Sequence, residues 1–155
     1  MYATLAEYQA YFGEITEADY NRYGMEATRY LDTATTGIDN VKKLAEHFPT
    51  DQTDAAMVKY CACELVHLLK QIADIESMGG YTTDENGVRG KVVSSKSAGN
   101  ESVSFIAGEP SPVERAARST TEKQRFISSR IKLWLSGIED ANGVNLLYMG
   151  VYPDV

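Results

Sequence analysis

Apolar residues recur at helical spacing in four stretches of this chain. In the first, Leu5, Tyr8 and Phe12 fall at i, i+3 and i+7, bracketed by the capping-box pair Thr4 and Glu7 and stopped at Gly13. In the second, Thr16 opens a helix with Glu17 and Asp19 in its first turn, where the helix dipole favours negative charge. Tyr20, Tyr23, Ala27, Tyr30, Leu31 and Ala34 then form one stripe that runs down to Gly37. Tyrosines on such a stripe suit a core edge or a subunit contact, because the ring favours burial and the hydroxyl needs a polar partner. Val41, Leu44, Ala45 and Phe48 predict a short amphipathic turn, broken at Pro49.

The longest periodic run follows the cap-rich residues 50–54 and extends to Met78 without Gly or Pro. Met57, Tyr60, Cys61, Leu65, Leu68, Leu69, Ile72 and Ile75 line its main face. Val58, Ala62 and Val66 widen that face, which predicts a central helix touched on more than one side. Gly79-Gly80 ends it. A last helix begins between Val113 and Ser119, where Ser119 and Glu122 form another capping box. Phe126, Ile127, Ile131, Trp134, Leu135 and Ile138 give its inner face, and Lys123, Arg125, Arg130 and Lys132 its outer one.

Two stretches break the helical pattern. Residues 79–112 are rich in Gly, Ser, Thr and Asn and carry two β-like runs, Lys91-Val92-Val93-Ser94 and Ser102-Val103-Ser104-Phe105-Ile106. Ala98-Gly99-Asn100 offers a turn between them. A lone hairpin is marginal in water, so this one needs a surface or a neighbour's strands to lie on. The second stretch is the end of the chain, Leu146-Leu147-Tyr148-Met149-Gly150-Val151-Tyr152-Pro153, in which Gly150 and Pro153 argue against helix. Such a tail either folds back on its own core or docks on another molecule; the rest of the chain favours docking.

These patterns predict a mainly α fold: a small helical bundle with a β-hairpin insert between the last two long helices and an extended C-terminal tail. A length of 155 residues and 43% apolar content suit one domain over 1–155. Its helical core is 4–78 and 113–138, its insert 79–112 and its arm 139–155. No window is long and apolar enough for a membrane span, and the N-terminus lacks the features of a signal peptide. A cytoplasmic origin is expected, with no membrane partner.

A net charge of −7 argues against a broad grip on nucleic-acid backbone. It suits a surface past which DNA slides without sticking. Arg115, Arg118, Lys123, Arg125, Arg130 and Lys132 form a basic face that is either solvated and salt-bridged or meets an acidic partner. Cys61 and Cys63 lie two apart, on roughly opposite sides of a helix, and are read as core thiols. Cys63, Glu64 and His67 are too few for a metal site. No phosphate-binding, nucleophile-elbow or zincin motif is present, and residues 87–91 read as a loop. Glu14 with Glu17 and Glu139 with Asp140 read as helix-end caps and solvated charge. No catalytic residue, cofactor or metal is expected.

Three ordered segments carry a resemblance. Residues 2–9 precede residues 15–22 and the segment Ala27-Thr28-Arg29-Tyr30-Leu31-Asp32. Val58-Lys59-Tyr60-Cys61-Ala62-Cys63-Glu64-Leu65 leads to the Ser/Gly-rich insert with Glu101-Ser102-Val103-Ser104-Phe105. Trp134-Leu135-Ser136-Gly137 leads to Asn145-Leu146-Leu147-Tyr148-Met149-Gly150-Val151. Together they resemble the head–tail connector family of tailed bacteriophages, also called adaptor or head-completion proteins. Met149 stands where an arginine is common in that family, and residues 140–144 are longer than in short relatives.

The resemblance implies a non-catalytic virion protein of the phage neck, assembled in the host cytoplasm. It implies a ring of about twelve subunits, joined by heterologous contacts that close. That ring would bind the portal protein on one side and a stopper or tail-completion protein on the other, and DNA would pass through it without sequence-specific binding. Leu146, Leu147, Tyr148, Met149, Val151 and Tyr152 would form the portal or subunit interface. Val92, Val93, Val103 and Phe105 would contact a neighbour or the channel. Alternative readings are a tail-completion or other neck protein, a nucleic-acid-binding regulator using the 115–132 face, and an enzyme using Tyr60, Glu64 and His67.

Overall fold

The computed structural model describes residues 1–77, 81–83, 89–91 and 110–153. Among them the chain is mainly helical: α1 (Leu5–Phe12), α2 (Glu17–Thr35), α3 (Lys43–Glu46), α4 (Gln52–Ser77), α5 (Pro112–Ala116) and α6 (Thr120–Leu135). One short antiparallel ladder joins β1 (Tyr81–Thr83) to β2 (Arg89–Lys91). The contacts divide into two compact units, Met1–Lys70 with Ile127–Val155, and Gln71–Phe126.

The first unit holds α1, α2, α3 and most of α4, with the latter part of α6 and the C-terminal segment. Its helix ends follow the sequence signals. Thr4 caps α1 as a full capping box with Glu7, and Gly13 leaves the helix with φ 81°, a conformation open to glycine. Thr16 accepts from the Asp19 amide at 3.1 Å and starts α2. From α2, Tyr20, Tyr23, Ala27 and Leu31 are buried.

α4 is the centre of this unit. Residues 61–66 are all buried, nearly two turns covered on every side. This goes beyond the broad stripe read from the sequence, because Cys63 and Glu64 are enclosed as well as the apolar positions. Met57, expected on the main face, is 39% exposed. α6 contributes Ile127, Ile131 and Leu135 to this unit, all buried. The two thiols are free, and burial pushes Cys61 up to about 12 and Cys63 up to about 11.

In the second unit, the last helix starts at the later of the two expected points, and a separate short helix precedes it. Ser111 and Glu114 form a capping box with Pro112 at the first helical position, giving the short α5. Ser119 then accepts from the Glu122 amide at 3.2 Å, and α6 begins. Apart from Lys91, the hairpin expected between residues 91–94 and 102–106 lies outside the described residues. Lys91 ends β2 and stands opposite Tyr81, with Thr83 opposite Arg89. The intervening sequence contains Asn86-Gly87, a stronger hairpin signal than Ala98-Gly99-Asn100. Val92, Val93, Val103 and Phe105 lie outside the described residues.

Candidate functional site

The C-terminal segment is built on a tight turn after α6. Asp140 is the organising residue. It is only 5% exposed, and its Oδ1 accepts from the backbone amides of Asn142 and Val144, each at 2.9 Å. Its Oδ2 accepts from the Tyr152 hydroxyl at 2.6 Å. The sequence reading of Asp140 as a solvated helix-end charge is therefore corrected: the carboxylate is enclosed and satisfied by three donors. Gly143, at φ 75°, supplies the left-handed residue that the turn needs. The chain then returns antiparallel to itself, with Glu139 bridged to Asn145 and the Leu146 amide bonded to the Ile138 carbonyl at 2.9 Å.

From there the segment lies against the α2–α3 connection. The Ile38 amide donates to the Met149 carbonyl at 3.2 Å. Asp39 accepts from the Tyr152 amide through Oδ2 and from the Val41 amide through Oδ1 at 3.2 Å; these bonds, that from Tyr152 first, hold its carboxyl below the usual range. Lys43 is almost fully buried and donates through Nζ to the Tyr148 carbonyl. Burial lowers its pKa, and the nearby charges of Asp140 and Asp39 oppose that fall. The His47 and Tyr152 rings stack at 5.0 Å. Gly37 permits the approach, since a Cβ there would stand 2.7 Å from the Gly150 carbonyl oxygen.

This geometry divides the predicted interface residues into two groups. Leu146 is fully enclosed by its own chain, and Leu147 and Tyr152 are half-buried. Leu146 is thus a core residue rather than a contact for a partner, because the turn at Asp140 folds the segment back before it reaches solvent. Tyr148, Met149 and Val151 are 47%, 50% and 62% exposed. Ile38, which sequence reading did not single out, stands beside them and is 73% exposed. The four are exposed apolar residues on a backbone held by Asp39, Lys43 and Asp140. Exposed apolar clusters of this kind mark interaction surfaces.

The side chains of the enzyme reading are engaged elsewhere. Glu64 accepts from Arg130 through both carboxylate oxygens, with Nε at 3.1 Å, and from the Trp134 indole N–H at 2.7 Å. Arg130, expected on the outer face of α6, is instead the partner of a buried carboxylate. His67 Nδ1 lies 3.2 Å from the Tyr8 hydroxyl, and its ring stacks on Phe12 at 4.6 Å. Burial lowers the His67 pKa. Tyr60 packs edge-on to Trp134 at 4.8 Å. These contacts tie α1 and α6 to α4. Among the described residues no group of three His, Cys, Asp or Glu side chains is placed to hold a metal ion. No helix among them is long and apolar enough to cross a membrane.

Comparison with family models, with curated proteins and with solved structures finds no match to this chain.

Proposed function

We propose that this chain is a structural assembly protein, a head–tail connector subunit of a tailed phage. In this reading it works in the virion neck as one member of a ring of about twelve that closes through heterologous contacts. The ring sits under the portal, extends the DNA channel and presents a surface to a stopper or tail-completion protein. The observation that carries the proposal is the apolar surface of Ile38, Tyr148, Met149 and Val151. A charged clasp holds these residues in place but leaves their side chains in water, an arrangement that serves binding better than folding. The ordered sequence segments that resemble the connector family supply the identity of the partner. The net charge of −7 suits a channel wall that DNA passes without adhering. The hairpin insert and its contacts through Val92, Val93, Val103 and Phe105 remain part of this proposal.

The test is pull-down of the chain by purified portal rings. Ile38→Asp and Met149→Asp together are expected to abolish capture while the far-ultraviolet circular dichroism stays helical. Capture equal to wild type would remove the surface from the proposal.

A further inference from the structure

A second surface lies along α2. A groove of about 620 Å³ runs along the C-terminal half of that helix, lined among others by Met1, Met25, Arg29, Asp32 and Lys42. Met1 and Met25 are 59% and 70% exposed and give a mixed lining its apolar part, open to solvent; the remaining lining residues are Thr, Arg, Asp and Lys. Asp32 accepts a hydrogen bond from the Tyr2 hydroxyl and keeps its charge, so with Arg29 and Lys42 the groove carries two cations and one carboxylate, a net positive charge. Gly24 makes the groove's Met1 wall possible, since a Cβ there would meet the Met1 sulfur at 2.6 Å.

The opposite end of the same helix has the complementary character. Glu14 and Glu17 are exposed, Asp19 is half-buried, and Tyr11 offers a ring that is 54% exposed. α2 is 19 residues long, so roughly 28 Å separates its two ends at 1.5 Å per residue. A groove of net positive charge edged by two methionines and an acidic corner edged by Tyr11 thus sit along one helix.

We propose that the Met25–Lys42 groove receives the Tyr11–Asp19 corner of a second copy of this chain. Charge complementarity selects this occupant. Corner against corner sets carboxylates face to face, and groove against groove opposes two net positive patches, whereas groove against corner pairs Arg29 and Lys42 with Glu14 and Glu17. Because the two patches differ, the contact is head-to-tail and repeats, and it generates a ring if the rotation closes. This rests on the connector reading only for the expectation that copies assemble; it needs no portal, and it uses a different surface from Ile38, Tyr148, Met149 and Val151.

Charge reversal on the full chain tests it, read by sedimentation velocity with circular dichroism as the check on folding. Wild type is expected to self-associate with rising concentration. Arg29→Glu with Lys42→Glu gives a groove and a corner that are both acidic, and Glu14→Lys with Glu17→Lys makes both basic. Each double variant alone is expected to lose about tenfold or more in association constant. Mixed in equal amounts, the two are expected to associate with each other, since every groove then meets a corner of opposite sign. If a reversed pair disturbs the helix, the corresponding Gln pairs carry the test with a smaller loss. A wild type that stays monomeric at every concentration would overturn the proposal. So would variants that associate as wild type does, or a mixture of folded variants that fails to associate. Failure here with portal capture intact would leave the connector reading standing.

Discussion

Asp140→Ala should loosen the whole C-terminal surface. The carboxylate takes two backbone amides and the Tyr152 hydroxyl, and it is 5% exposed. Hydrogen bonds to a charged group contribute about 1.5–3 kcal/mol each, but they are not additive here. Asn142 is exposed, so water can take over its amide, and Tyr152 is half-buried, so water can accept from its hydroxyl in place of the carboxylate. The Val144 amide is the group left buried without its acceptor. The expected loss is therefore about 2–3 kcal/mol, one such bond and its desolvation cost rather than three. Asp140→Asn keeps one acceptor oxygen and should lose roughly half as much. The assay is urea unfolding followed by fluorescence of Trp134, the single tryptophan, which lies in the same compact unit. The midpoint should fall with the slope unchanged. A double-mutant cycle with Tyr152→Phe should show coupling of about 1 kcal/mol. Stability of Asp140→Ala within about 0.5 kcal/mol of wild type, the range of ordinary surface changes, would refute the assignment of Asp140 as the residue that fixes the segment.

Glu64→Ala should cost about 2–3 kcal/mol in the same assay, because it strands the Arg130 guanidinium and the Trp134 indole N–H; the figure is set below that of a fully buried pair since Arg130 is 30% exposed. A loss under about 1 kcal/mol would place that pair with ordinary surface bridges. His67 has a folded-state pKa below its ordinary 6.5, so the unfolded chain binds more protons and stability falls as pH drops through about 6.5, levelling off below the folded value. His67→Gln should flatten this part of the pH–stability curve, and an unchanged slope would contradict the placement. Cys61 and Cys63, raised to about 12 and about 11, should react with a thiol reagent at pH 8 only as fast as the fold opens, with both becoming accessible in urea.

The helices were legible because each one announces itself locally. Thr4 with Glu7, Thr16 and Ser119 cap the helices they were expected to cap, and the apolar stripes supply most of the buried positions. What escaped depends on partners distant in the chain. Nothing local marks Glu64 as enclosed, since its partners are 66 and 70 residues away. Lys43 sits on a four-residue helix, and the carbonyl that its ammonium reaches is on the returning C-terminal segment. Asp140 came closest to being readable: Asp-Ala-Asn-Gly is a side-chain-capped turn signal, but the third donor, Tyr152, could not be assigned from spacing. Ile38 was overlooked because an isolated apolar residue in a polar loop has no periodicity to enter. The ladder of Tyr81–Thr83 with Arg89–Lys91 was missed because residues 87–91 were read as a loop and the Asn86-Gly87 dipeptide was given no weight as a turn.

Electron microscopy of the wild-type chain mixed with a tailed-phage portal ring tests the proposal that Ile38, Tyr148, Met149 and Val151 serve assembly. The connector reading requires a second ring of density stacked on the portal, with the Ile38, Met149 and Val151 surface turned towards a protein neighbour. Bare portal rings, with the chain remaining free in solution at every mixing ratio, would contradict it.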